Sequence, residues 1–221
     1  MSANFQPIAA LASLPAALRR VTAIIVTPVI AILAAHLPCA SAATAAESAA
    51  ATCFVCHGKH GEGAADGVPR LASQDAAYMQ NALSMFKAGT RASAVMQPIA
   101  RTLSDSAISG LADYFSQQRA PLAVAAAPAP PERVLAGKRL AEQGAANVAA
   151  CFSCHAAQGK GNGARFPSIA GQPARFVVNR LREFQARAQA AAPQPGTMTA
   201  VAATLDDRQI EQAAAYLSTL P

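Results

Sequence analysis

Cys53-Phe54-Val55-Cys56-His57 and Cys151-Phe152-Ser153-Cys154-His155 are two copies of C-x-x-C-H in a chain of 221 residues. Two thiols spaced by two residues, with an imidazole directly after them, form the pattern of a c-type haem attachment site. The thiols can add across the two vinyl groups of one porphyrin, and the histidine can supply an axial nitrogen to its iron. A single match would also suit half of a zinc site or a redox C-x-x-C pair. Two matches, each keeping its histidine, point instead to two covalent haem c groups. Cys53, Cys56, Cys151 and Cys154 are the expected attachment points, and His57 and His155 the expected axial ligands.

Outward from the motifs, the chain repeats itself. With the cysteines in register, Cys53 to Ala88 lies on Cys151 to Ala186 without a gap, pairing Pro69 with Pro167, Gln74 with Gln172 and Phe86 with Phe184. After a four-residue insertion in the second copy, Met96 falls on Met198, Ile108 on Ile210 and Tyr114 on Tyr216. A soft thioether opposite a histidine is the usual ligand pair of electron-carrying c cytochromes. Met96 and Met198 are the methionines that share a position, so they are the expected second axial ligands of the two irons. Met79 and Met85 have no methionine partner and are expected to be flexible core filler. His60 follows His57 too closely to reach the other face of the same ring, and is expected at the surface or the haem edge.

Residues 1–42 have the features of an export signal. Arg19-Arg20 give a positive region, Val21 to Leu37 an apolar stretch, and Ala40-Ser41-Ala42 an A-x-A cleavage site. The alternative is an uncleaved anchor to the inner membrane, although the apolar run is short for a span and is interrupted by Thr27-Pro28. Export suits the cofactor, because c-type haem is attached outside the bacterial inner membrane, so the expected location is the periplasm. Cys39 is expected to leave with the signal. The remaining cysteines would be thioethers, and the usual disulfide arithmetic of exported proteins does not apply.

The segment Ala120 to Pro131 carries no charge and four prolines and reads as a linker. It divides the mature chain into residues 43–119 and 132–221, two domains small enough that apolar burial alone is marginal. A haem between helices supplies the missing apolar area, so the apoprotein is expected to fold poorly. The pattern is helical throughout. Ser104 caps a stripe of Ile108, Leu111, Ala112 and Phe115, and Asp206 caps Ile210, Ala213, Ala214 and Leu217. Further helices are predicted over Ala76 to Lys87, Ala174 to Arg187 and Glu132 to Ala146, with a short one inside Ala43 to Ala51. The glycine-rich stretches after each motif histidine, 58–67 and 159–163, are predicted to loop at the haem edge.

The formal net charge is +6, and the second half is the more basic. Arg175, Arg180, Arg182 and Arg187 share one predicted helix, either as a solvated face or as a surface that steers an acidic partner. Nucleic acid is excluded as a partner by the compartment and by the lack of aromatic residues interleaved with basic ones.

With C-x-x-C-H-G at Cys53 to Gly58, Pro69-Arg70-Leu71-Ala72, Pro167-Ser168-Ile169-Ala170-Gly171-Gln172, Phe86 to Arg91 and Met96, residues 45–221 resemble the cytochrome c4 family. The resemblance implies an all-α protein of two tandem class I cytochrome c domains, each a small helical fold around one covalent haem. It also implies that Pro69 and Pro167, twelve residues past their histidines, accept the ring N–H through their carbonyls. Two departures stand out: Ala156 replaces the glycine after the second motif, and the Gly-x-Arg ahead of Met96 has no counterpart ahead of Met198.

The function that follows is electron carriage in a periplasmic respiratory chain, from a respiratory complex as donor to a terminal oxidase or similar acceptor, with no small-molecule substrate. Two rivals remain. One is the dihaem subunit of a dehydrogenase, for instance of a flavoprotein that oxidises sulfide. The other is a dihaem peroxidase, which needs an iron with an open position where both halves offer a methionine.

Overall fold

An alanine-rich run without glycine or proline builds the first helix, α1 (Cys39–His57), of a computed structural model that describes residues 39–123 and 127–221. Alanine is the strongest helix former, and nothing in this run stops propagation. The helix is therefore longer than the short element predicted inside Ala43 to Ala51, and it runs through the first C-x-x-C-H. The predicted export signal lies outside the described residues except for its last four, which belong to α1. Among the described residues no helix is long and apolar enough to cross a membrane.

Three helices complete the first half. Helix α2 (Ala76–Lys87) is capped by the Asp75 carboxylate, which accepts from the Tyr78 N–H at 2.8 Å. A short α3 (Met96–Arg101) leads to α4 (Asp105–Gln117), whose N-terminus is closed by Ser104. The predicted stripe of α4 is buried in full, and its Leu111, Ala112 and Phe115 pack with Met79 and Ala50.

The second half repeats this order with local changes. Helix α5 (Pro131–Gln143) begins on a proline and stops at Gly144, whose φ of +76° suits glycine alone, three residues short of the predicted end. The second motif then sits in a separate single-turn helix, α6 (Phe152–His155). Helix α7 (Ala174–Ala190) starts where its repeat partner α2 starts but runs further, past the predicted Arg187. The cause is visible in the alignment: Gly89, with φ +79°, ends the α2 region, and its counterpart is the helix former Arg187. Part of the four-residue insertion is thereby absorbed as extra helix. Helices α8 (Met198–Ala203) and α9 (Asp207–Leu217) follow, α9 with a full capping box between Asp206 and Gln209.

Among the described residues the second core is the larger. Leu140, Val148, Val177, Val178, Leu181 and Leu205 close around the stripe of α9. Helices α5 and α9 touch backbone to backbone at Gly137, where an added methyl would lie 1.9 Å from the Gln212 carbonyl oxygen. No strand occurs among the described residues, only isolated bridges.

Residues 46–221 form one compact unit in which the two halves pack against each other. Helix α2 packs on the turn Gly163–Arg165 of the second half. Arg175 of α7 lies over Gly67, the repeat partner of Arg165. The Arg70 guanidinium donates to the carbonyls of Ala120 and Pro121, each at 2.6 Å, and so fixes the start of the linker.

Candidate haem sites

Each C-x-x-C-H lies on helix, and helical geometry puts residues three apart on one face. Cys53 and Cys56 belong to α1, and Cys151 and Cys154 to the turn that opens α6. None of the four is paired in a disulfide; Cys53 and Cys151 are half-buried, while Cys56 and Cys154 are exposed. Burial pushes the Cys53 and Cys151 thiols above their ordinary range.

The motif histidines are buried, and the chain holds each in the same way. His57 Nδ1 lies 2.9 Å from the Pro69 carbonyl oxygen, and His155 Nδ1 lies 2.8 Å from that of Pro167. A carbonyl can only accept, so Nδ1 carries the proton and Nε2 keeps its lone pair. Burial pushes both imidazoles below the ordinary range, against the opposing pull of the carbonyl bond, and so favours the neutral ring that ligates a metal.

Glycine makes this arrangement possible. The loop after each histidine folds back so that Gly63 N–H donates to the His57 carbonyl and Gly161 N–H to that of His155, both at 2.8 Å. A Cβ on Gly63 would lie 2.7 Å from the Val68 carbonyl oxygen, and one on Gly161 would lie 2.6 Å from the Ser168 nitrogen. Only a residue without a side chain lets the proline segment approach its histidine. The predicted glycine-rich loops thus carry a definite task.

Met96 and Met198 are half-buried and each opens a short helix, α3 or α8. Ser93 Oγ accepts from the Met96 N–H at 3.0 Å, and Thr197 caps α8. Met79 is core filler as expected, at 6% exposure. Met85 is not: it is 40% exposed and lines a cavity of about 580 Å³ between the halves, together with Tyr78, Arg91, Arg165 and Arg180. It sits on the face of α2 that meets the second half. His60 is exposed, its N–H donating to Glu62.

The arginines of α7 do not form one free patch. Arg180 and Arg187 both bind Glu183 and lie over the ring of Phe184, while Arg182 stays about half exposed near Asp207 and Glu211. Arg91 lies 4.5 Å from the centroid of Phe86, the repeat partner of Phe184.

The donor set fits two haem groups: two cysteine pairs on helical faces, a neutral imidazole beside each, and a methionine opening a short helix in each half. A cytochrome c family model matches residues 42–118 and 134–221. Cytochrome c4 of Azotobacter vinelandii is 32% identical over 190 residues, which cover 80% of this chain and 89% of that protein. The chain belongs to the cytochrome c4 family. Its backbone also superposes on the crystal structure of reduced recombinant cytochrome c4 from Pseudomonas stutzeri with a TM-score of 0.70 and 30% identity, over 81% of this chain and 98% of that one. A thiosulfate dehydrogenase electron acceptor of Stutzerimonas stutzeri is 35% identical over 179 residues, covering 79% of this chain and 82% of that protein. This cytochrome therefore has the all-α fold of two tandem class I domains, binds two haem c groups covalently and carries electrons.

One pair of residues gained no role from sequence. Gln74 and Gln172 occupy the same place in both copies, and the structure buries both at the contact between the halves. A polar residue shared by both copies, two positions ahead of a predicted helix, was the available signal.

Proposed function

We propose that this dihaem cytochrome is a periplasmic carrier that takes single electrons from an oxidoreductase and passes them to a terminal oxidase or similar acceptor of a respiratory chain, turning over no substrate of its own. Cys53 and Cys56 hold one haem, and Cys151 and Cys154 the other. His57 with Met96, and His155 with Met198, would ligate the two irons. Haem iron contributes a one-electron ferrous–ferric couple. The protein's part is to hold two neutral imidazoles rigidly through Pro69 and Pro167, and to offer thioethers, which would favour the ferrous state. Ligands that stay in place on oxidation keep the cost of reorganisation small.

The observation that carries this reading is the repeated histidine–proline carbonyl bond, at 2.9 Å and 2.8 Å, made identically in two modules that each own a methionine at one shared position. Each half supplies its own methionine at the shared position, whereas a peroxidase needs one iron left open. A redox titration of purified holoprotein with optical detection tests it. The expected result is two haems per chain, methionine–iron charge-transfer absorption from both, and no binding of carbon monoxide to the reduced protein. Carbon monoxide binding by one native haem would move the case to catalysis.

A more specific donor is favoured by the similarity to the Stutzerimonas stutzeri electron acceptor, namely an enzyme that oxidises thiosulfate. Stopped-flow mixing of the oxidised cytochrome with a thiosulfate dehydrogenase and thiosulfate tests this choice. Reduction within the enzyme's turnover time supports it, and slow reduction leaves a respiratory complex as the donor.

A further inference from the structure

Gln74 and Gln172 are each 5% exposed, and neither belongs to the ligand sets above. Each amide reaches across to the other half and binds one residue's backbone twice. The Arg70 N–H donates to Gln172 Oε1 at 3.0 Å, and Gln172 Nε2 donates to the Arg70 carbonyl at 2.9 Å. In the mirror contact the Ser168 N–H donates to Gln74 Oε1 at 2.8 Å, and Gln74 Nε2 donates to the Ser168 carbonyl at 3.0 Å. Arg70 and Ser168 follow Pro69 and Pro167. The peptide that offers its carbonyl to His57 thus offers its N–H to Gln172, and the peptide that serves His155 offers its N–H to Gln74.

These bonds act in series. A peptide whose N–H is hydrogen-bonded becomes a stronger acceptor at its own carbonyl, since linked bonds polarise one another by about 10–30% each. A stronger acceptor draws on the Nδ1 proton and makes Nε2 more basic. A more electron-rich axial nitrogen favours the ferric iron and lowers the potential.

We propose that each half tunes the other's haem through a shared peptide: Gln172 is a positioning residue for the iron held by His57, and Gln74 for the iron held by His155. The proposal rests on His57 and His155 being the axial ligands. It differs from simple adhesion in its crossed direction, because a change in one half is read at the metal of the other.

The test is a redox titration of full-length holoprotein followed by NMR, with haem methyl signals assigned to each half through contacts with that half's residues. Gln172→Met keeps the length of the side chain and removes the acceptor. At fixed poise it is expected to raise the ferrous-to-ferric ratio of the first half's iron by about threefold and leave the second unchanged. Gln74→Met is expected to do the reverse. Gln172→Glu restores an acceptor and is expected to return the ratio to the native value or below it. No shift, a shift at the iron of the mutated half, equal shifts at both irons, or Gln172→Glu behaving like Gln172→Met would each overturn the relay. An interface that had merely loosened would move both irons together. Charge-transfer absorption separates the two levels: a failed shift with the native band retained counts against the relay alone, while absence of the band from the native protein removes the ligand assignment beneath it.

Discussion

The two halves share one plan but lean on it differently. In the first, a single helix runs unbroken into the haem motif and the buried cluster is small: Ala50, Met79, Leu111, Ala112 and Phe115. In the second, Gly144 interrupts that path, and the core extends over α5, α7 and α9. The comparison teaches that the site geometry is held more tightly than the core that supports it. The histidine–carbonyl bonds match to 0.1 Å, while the buried sets differ widely.

The sharpest way to break this contrast is to remove one haem at a time. Cys53→Ser with Cys56→Ser is expected to halve the haem content and to melt the first half, seen as a large loss of helical circular dichroism. Cys151→Ser with Cys154→Ser should cost less helix, because more apolar contact remains among α5, α7 and α9. Equal losses would show that core size does not distinguish the halves. Next in size is Gly137→Ala, which forces α5 away from α9 and is expected to destabilise the second half by about 3 kcal/mol in denaturant unfolding.

A smaller effect comes from the residue that follows each motif. Gly58 has φ +81°, whereas Ala156 takes φ +60° and ψ 173° in a region nearly reserved for glycine. Ala156→Gly is expected to stabilise the second half by about 1 kcal/mol, the relief of strain exceeding the added freedom of the unfolded chain. Gly58→Ala should destabilise the first by about 1–2 kcal/mol. Thermal melts of the two variants would then move in opposite directions.

The smallest effect concerns acid. Burial raises the Glu183 carboxyl, but Arg180, Arg187 and Arg91 outweigh it and hold the group below its ordinary value of 4.5. A depressed carboxylate contributes stability above the unfolded value, and that contribution is lost as pH falls below about 4.5. Glu183→Gln should flatten the loss of stability of the second half in that range. The first half has Met85 at the aligned position and should respond less.

Much of this architecture was legible because it was written twice. The stripes of α4 and α9, their Ser104 and Asp206 caps and the bounds of α2 follow from periodicity and capping chemistry. The length of α1 did not emerge, since its alanine run was divided in advance by the predicted signal cleavage. The end of α7 was missed because the stop depends on one glycine that the second copy lacks. The histidine–proline bonds came from family resemblance rather than from spacing. The role of Gln74 and Gln172 was hidden for a different reason: their partners are backbone groups some hundred positions away, and a glutamine that reads a peptide leaves no complementary side chain in the sequence.

That last property reaches past this one molecule. A contact in which each module offers the same amide to the same stretch of main chain on its twin is self-complementary, as in a symmetric homodimer. Two unlinked copies of a single ancestral unit can satisfy it as well as two fused ones. Because it recognises peptide rather than side chain, the pairing is made equally at Arg70 and at Ser168, whose side chains have nothing in common.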